Sequence, residues 1–141
     1  MKLVCISDTH GQHRKLNLPP GDILLHAGDF TRKGKKDEIQ DFNDWLGSLS
    51  YAYKLVIAGN HDFLFENHPQ QAQSLLTHAI YLEDSGIQIQ GVNFWGSPVS
   101  PRFFDWAFNR ERGDDIQRHW QKIPVETHVL MTHTPPYGLL D

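Results

Sequence analysis

The sequence has a single cysteine, Cys5, so it cannot form an intrachain disulfide. It also lacks a long apolar run: the first one, Leu3–Ile6, stops far short of the roughly 20 residues that a membrane-spanning helix needs. Positive charge is not in excess, because 13 Lys and Arg stand against 17 Asp and Glu. Such a balance gives no basic surface for a nucleic-acid backbone. We therefore expect a cytoplasmic protein with no membrane segment and no extended nucleic-acid partner.

The apolar residues that are present predict one α/β domain over residues 1–141. Three short apolar runs closed by turn residues, at Lys2–Ser7, Asp22–His26 and Lys54–Ala58, are typical of buried parallel strands. Between Lys35 and Leu49 the apolar residues recur every three or four positions, which predicts a helix.

The second half of the chain predicts shorter elements. They are a helix over His68–His78, strands over Ala79–Glu83, Ile87–Gln90 and Val92–Trp95, a rim loop with a short helix over Gly96–Arg112, a helix over Asp114–Lys122 and a strand over Thr127–Met131. Helices and strands that alternate first, followed by adjacent strands, indicate a layered α/β domain with a mixed sheet or two packed sheets.

Polar groups follow four of these strands directly. They are Asp8 with His10, Asp29, Asn60 with His61, and His133. Ligands of open α/β sheets bind beyond the carboxyl ends of the strands, so these side chains should converge. Buried carboxylates and imidazoles need partners, and a cation supplies one. The sequence therefore predicts a metal site with oxygen and imidazole ligands, although an Asp at a turn or a His before prolines can also be purely structural.

Other residues favour structural roles. His26 is expected in the core or behind the site, and Cys5 in the core. The remaining histidines are expected on the surface; they are His13, His68, His78, His119 and His128. The aromatic segment from Trp95 to Phe108 is interpreted as a small core under a long loop, with a platform for stacking nucleobases as the alternative.

The order of the motifs resembles the calcineurin-like metallophosphoesterases. The motifs are Asp8-x-His10, Gly28-Asp29, Gly59-Asn60-His61-Asp62 and Thr132-His133. Two further segments, Phe94-Trp95-Gly96-Ser97-Pro98 and Thr132-His133-Thr134-Pro135-Pro136, look most like the small single-domain branch related to the brain protein 239 phosphodiesterases.

The resemblance implies a sandwich of two mixed β-sheets flanked by helices. It also implies two divalent metal ions, with Mn expected and Fe, Zn or Mg as alternatives. Asp8 and His10 would bind the first ion, Asp29 would bridge both, and Asn60 with His133 would bind the second. His61 would act as the catalytic acid while a metal-bound hydroxide attacks a phosphodiester or phosphomonoester, either a small phosphoester or a nucleotide.

One motif of that family, a Gly-His-x-His downstream of His133, is absent. We therefore expect weak metal binding and a fold that is incomplete at its C-terminus. Three interpretations remain open: a fragment of an enzyme, a homo-oligomer in which another copy fills the gap, and a phosphate- or nucleotide-binding module that has lost catalysis. An unfinished sheet would favour pairing between copies.

Overall fold

The computed structural model describes residues 1–140. The strands are β1 (Leu3–Ile6), β2 (Ile23–Ala27), β3 (Tyr53–Ile57), β4 (Ile80–Tyr81), β5 (Ser85–Ile89), β6 (Val92–Ser97), β7 (Ser100–Pro101), β8 (Asn109–Arg110) and β9 (Val129–Thr132). The helices are α1 (Lys36–Ser48), α2 (Phe63–Asn67), α3 (Pro69–Leu75) and α4 (Asp114–Trp120), with a 3₁₀ turn at His13–Lys15.

The larger sheet has the strand order β1-β2-β3-β4, and all of its strands are parallel. The predicted layered α/β fold is confirmed, and this sheet is parallel throughout because its strands are joined by crossover connections rather than hairpins. Parallel strands present their carboxyl ends at the same edge of the sheet. The residues that follow β1, β2 and β3 are thereby brought to one side of the molecule.

The smaller sheet is mixed, with the order β5-β6-β9. Strands β5 and β6 form an antiparallel hairpin, whose two turn residues, Gln90 and Gly91, both have positive φ, as the twist of a tight hairpin favours. Strand β9 then pairs with β6 in parallel. The two sheets enclose an apolar core that includes Leu25, Leu55 and Phe94.

Helix α1 covers the other face of the larger sheet, as its apolar spacing predicts. Its buried side chains include Ile39, Phe42, Trp45 and Leu46. The Glu38 carboxylate accepts hydrogen bonds from three backbone N–H groups just before the helix, at Arg32, Lys33 and Lys35. This local network fixes the start of the helix next to the segment that follows β2.

Several predicted elements differ in the structure. The helix predicted over His68–His78 is shorter, and a separate helix, α2, precedes it. Pro69 is the first residue of α3, where its fixed φ and missing N–H suit a helix start but not a continuation of α2. Within residues 98–112 the predicted rim loop contains the two short strands β7 and β8 and several turns, but not the predicted helix. No helix in the described part of the chain has the length and apolar character needed to cross a membrane.

Three predictions about single residues are wrong. His13 is buried, because it packs between Phe42 and the Trp45 ring and bonds to a carboxylate of α1. His119 is not a free surface group, since it pairs with the half-buried Asp84. Cys5 is exposed, because the small second sheet does not extend over β1.

Candidate metal centre

The six predicted site residues lie together at the carboxyl edge of the larger sheet. Asp8 and His10 follow β1, Asp29 follows β2, Asn60 and His61 follow β3, and His133 follows β9. Three of them adopt left-handed backbone conformations, with φ of 53° at Asp8, 41° at His10 and 56° at Asp29. L-residues rarely adopt this conformation. Residues with such strained backbones cluster at functional sites.

Two glycines allow the strand ends to approach so closely. A Cβ on Gly59 would lie 2.2 Å from the Asp29 Oδ1 atom, and a Cβ on Gly28 would lie 2.7 Å from the His133 Nδ1 atom. Gly28 also has φ of 97°, which other residues rarely adopt. The glycines in the Gly28-Asp29 and Gly59-Asn60 motifs are therefore required by the packing of the site itself.

Asp29 is the centre of the cluster, and it is only 3% exposed. Its Oδ2 atom lies 3.6 Å from the His10 Nε2 atom, whereas its Oδ1 atom lies 3.5 Å from the His133 Nε2 atom and accepts a hydrogen bond from the His61 N–H. Burial alone would raise the pKa of Asp29, but the hydrogen bonds from His133 and the His61 backbone lower it. The carboxylate stays charged, and each oxygen faces a different imidazole.

The three histidines of the site are oriented in the same way. The Nδ1 atoms of His10, His61 and His133 bond to the backbone carbonyls of Thr31, Arg32 and Ala27, at 3.1, 3.0 and 2.8 Å. A carbonyl can only accept, so each Nδ1 carries the proton. This fixes the tautomer and directs each Nε2 atom into the site, which is how the backbone commonly orients metal-binding histidines.

The donor set suits divalent cations. One ligand atom from each of Asp8, His10 and Asp29 lies within 4.8 Å of the others. On the opposite side, the inward-facing atom of the Asn60 amide lies 2.9 and 3.1 Å from the two Asp29 oxygens and 3.3 Å from the His133 Nε2 atom. If this atom is the amide oxygen, it meets only acceptors while His133 Nε2 is unprotonated, an arrangement that a cation would stabilise. If it is the amide nitrogen, it donates to these atoms.

His133 takes up a proton when only protein groups surround it. Burial lowers its pKa, but the hydrogen bonds to Asp29 and to the Ala27 carbonyl outweigh burial and raise the pKa to about 9. Its side chain is 6% exposed. A cation at this nitrogen therefore competes with a proton that balances the charge of Asp29.

Asp62 supports the site, a role that its sequence pattern alone did not predict. It is fully buried, and its carboxylate accepts hydrogen bonds from the N–H groups of Asp29, Thr31 and Gly59 and from the Thr31 hydroxyl, at 2.7 to 3.0 Å. Burial raises its pKa to about 6. Its position within Gly59-Asn60-His61-Asp62 was the signal that could have identified it, because a carboxylate so close to a buried strand needs a local partner.

The chain matches known proteins along its length. The sequence profile of the calcineurin-like phosphoesterase family matches residues 1–141. The human metallophosphoesterase domain-containing protein 1 is 42% identical over 164 aligned residues, covering 99% of this chain and 50% of that protein. A UPF0046 protein of Caenorhabditis elegans is 41% identical over 155, covering 100% and 53%. The chain thus spans about half the length of these relatives, and it belongs to the calcineurin-like phosphoesterase family.

Proposed function

We propose that this chain forms the centre of a phosphoesterase that uses two divalent cations. The observation that carries the proposal is the placement of Asp29, whose two oxygens face different histidines from one buried position. A bridging carboxylate between two ligand groups is what a pair of adjacent cations requires. Asp8 and His10 would hold the cation on one side, and Asn60 and His133 the cation on the other.

Manganese is the cation that we propose first. The donors are carboxylate and amide oxygens and imidazole nitrogens, a mixed set that suits Mn, Fe or Zn better than a purely oxygen-binding ion. The only thiol of the chain, Cys5, lies within β1 rather than after it. When bound, the two cations would supply positive charge to the phosphoryl oxygens and activate a water molecule for attack.

His61, when protonated at Nε2 as well as at Nδ1, would donate a proton to the leaving oxygen of the ester. Its Nδ1 atom is held by the Arg32 carbonyl, so its Nε2 atom faces the site, 3.9 Å from Asp29 Oδ2. The side chain is 31% exposed, so substrate can reach it. A well-placed acid contributes about 100- to 10,000-fold to the rate.

A small phosphodiester or phosphomonoester is the substrate class that fits this site. Asp8 and His10 line a surface groove together with Gln12 and Lys15, which leaves the cluster open to solvent on that side. Two divalent cations against the charges of Asp8 and Asp29 would leave a net positive site, which attracts a phosphoester anion.

Hydrolysis of bis-p-nitrophenyl phosphate with added Mn, together with the metal content of the purified protein, tests the proposal. We expect Mn-dependent hydrolysis that Asp29→Asn reduces by at least about 100-fold, because the substitution removes the charge between the two cations. Asp44→Asn is the matched control, since Asp44 is an exposed carboxylate on α1. It should leave both rate and metal content unchanged.

The alternative, a binding module without catalysis, gives a different result. Phosphate or nucleotide would then bind in a Mn-dependent manner with no turnover, and Asp29→Asn would abolish the binding. Hydrolysis that persists in Asp29→Asn at the wild-type rate would contradict the proposed site.

A further inference from the structure

The His61 side chain is held by one hydrogen bond and by two neighbouring rings. Its Nδ1 atom donates to the Arg32 carbonyl at 3.0 Å. The His10 ring lies edge-on to the His61 ring, with centroids 4.9 Å apart and planes at 82°, and the Trp106 ring lies 5.0 Å away at 46°. One hydrogen bond lets an imidazole tilt, and a reacting side chain keeps its geometry only when packing also restricts it. The direction of the His61 Nε2 atom therefore depends on the two rings.

The two rings differ in what they can offer the site. His10 is a predicted metal ligand, so its own orientation serves a cation. The indole N–H of Trp106 can only donate a hydrogen bond, so Trp106 cannot be a ligand of that cation. Trp106 contributes packing against His61.

The loop that carries Trp106 is bonded to the same segment of the chain that carries His61. Ala107 donates its N–H to the carbonyl of Asn60 at 3.0 Å, and Phe108 donates its N–H to the Glu66 carboxylate of α2. These two acceptors lie on either side of His61 in the sequence. The contact between the Trp106 and His61 rings is thus fixed by hydrogen bonds on both sides of His61.

The loop keeps this anchor without the Trp106 ring. Ala107 and Phe108 are only 2% and 3% exposed, in the core that also includes side chains of α1. Phe108 has φ of 58°, a left-handed conformation that is rare for a bulky residue and persists only where the surroundings enforce it. Trp106 is partly exposed. Removal of its ring leaves both backbone hydrogen bonds and both buried side chains in place.

We propose that Trp106 is a positioning residue, which packs against the imidazole of His61 and keeps its Nε2 atom directed at the leaving oxygen of the ester. The proposal rests on the proposed function, to which it adds a residue that touches no reacting atom. Its effect should depend on how much the leaving group needs a proton. Phenolate leaves less readily than p-nitrophenolate, so an acid accelerates its departure more.

The rates of Mn-dependent hydrolysis of diphenyl phosphate and bis-p-nitrophenyl phosphate test this dependence, because the two esters differ in their leaving groups. We expect Trp106→Ala to lower kcat about tenfold for diphenyl phosphate and less than about twofold for bis-p-nitrophenyl phosphate, with KM unchanged for both. Trp106→Phe retains a ring and should restore most of the loss. In a His61→Ala background, Trp106→Ala should have no further effect on either ester, because the side chain that it positions is gone.

NMR of the metal-free protein provides a second measurement that needs no turnover. The Nδ1–H signal of His61, identified by its absence in His61→Ala, should be present in the wild type because the Arg32 carbonyl protects it. It should be lost through exchange with water in Trp106→Ala and kept in Trp106→Phe. The His133 Nδ1–H signal is the internal control and should remain in both variants, since the Ala27 carbonyl holds it at 2.8 Å, away from the loop.

Tyr53→Ala is the matched control for removal of a ring, since this exposed residue begins β3 at the edge of the sheet opposite the site. It should leave both rates and both signals unchanged. Equal losses for the two esters in Trp106→Ala, or a His61 signal that persists there, would overturn the inference, while hydrolysis by the wild type would still support the proposed function. If the wild type hydrolyses neither ester, the proposed function is overturned and this role of Trp106 with it.

Discussion

His26 supports the candidate metal centre from inside the core. It is fully buried, its Nε2 atom lies 2.9 Å from the Thr9 hydroxyl, and its Nδ1 atom accepts a hydrogen bond from the Gly28 N–H at 3.3 Å. An Nδ1 that accepts must be unprotonated, so the ring is neutral and donates from Nε2. His26 therefore connects the segment after β1 to the turn after β2, and its prediction as a core or supporting residue agrees with its position.

The neutral ring of His26 gives the fold a dependence on pH. Burial, with smaller contributions from nearby histidines, lowers the pKa of His26 to about 3, whereas an unfolded histidine titrates near 6.5. Between these values the unfolded chain binds a proton that the folded chain does not. Stability therefore falls as the pH drops below about 6.5 and is unaffected by this group at higher pH.

We expect His26→Gln to remove this part of the pH dependence. Between pH 7 and pH 5 the free energy of unfolding of the wild-type protein should fall by about 1–2 kcal/mol more than that of the variant. Urea unfolding in the presence of a chelator measures the difference without a contribution from metal. His68→Gln, which changes an exposed histidine, should follow the wild-type curve. Parallel curves for wild type and His26→Gln would contradict the assignment.

Helix α1 stabilises the site through one aromatic stack. Phe30 follows Asp29 directly, and its ring stacks on the Phe42 ring of α1 with centroids 4.4 Å apart and planes at 12°. Both rings are fully buried, and Phe42 also contacts the His26 ring. The helix thus covers the sheet and at the same time fixes the backbone that carries the central carboxylate.

Phe42→Ala should lower the free energy of unfolding by about 3–5 kcal/mol, because it leaves a cavity under the strand ends. Urea unfolding measures the loss. Phe103→Ala removes the same atoms from a ring that is 60% exposed, and its cost should stay below about 1 kcal/mol. Similar losses in the two variants would mean that α1 does not carry the core in the way the structure indicates.

The elements that local pattern alone specifies were predicted well. Strands β1, β2 and β3 and helix α1 have strong apolar patterns, and the structure places them within one or two residues of the predicted bounds. Helix α2 was missed because its five residues are too few to show a helical period. The loop between β7 and β8 follows from long-range hydrogen bonds, such as Ala107 to Asn60, that no local pattern contains.

The same distinction holds for single residues. The six residues of the candidate site lie together, as predicted, because each follows a strand and strand ends converge. His13 and Cys5 were misplaced because their burial depends on packing between distant segments: His13 contacts the rings of Phe42 and Trp45, and Cys5 lies in β1 beyond the reach of the second sheet. Whether a given side chain is buried against another layer depends on how the sheets and helices assemble.

At the scale of the whole molecule, the smaller sheet is narrower than the larger one, with three strands against four. Strand β6 lies over β3, since a Cβ on Gly96 would lie 2.6 Å from Ile57. Strand β9 leads to His133, which bonds to Ala27 of β2. A further strand added beside β9 would lie over β1. Cys5 of β1 is aligned with Leu25 and Leu55, whose side chains lie between the two sheets. Cys5 itself is exposed.

Strand β9 has an open edge at that place. It pairs with β6 on one side, and within residues 1–140 no strand pairs with its other side. Leu130 of β9 is 48% exposed, so apolar surface accompanies the unpaired backbone groups. Open strands of this kind favour pairing with another chain. We therefore predict that two copies of this chain associate through their β9 edges.

Sedimentation velocity over a series of protein concentrations should show a monomer that converts to a dimer as concentration rises. Cys5 should react with a thiol reagent in the dilute protein and become protected as the dimer forms, because the added strand would cover β1. Leu130→Lys should weaken association by about tenfold, since a charge on an edge strand opposes pairing. Val125→Lys changes a fully exposed residue outside the strands and should have no effect. A monomer at every concentration, or a dimer in which Cys5 stays reactive, would show that the β9 edge is not the interface.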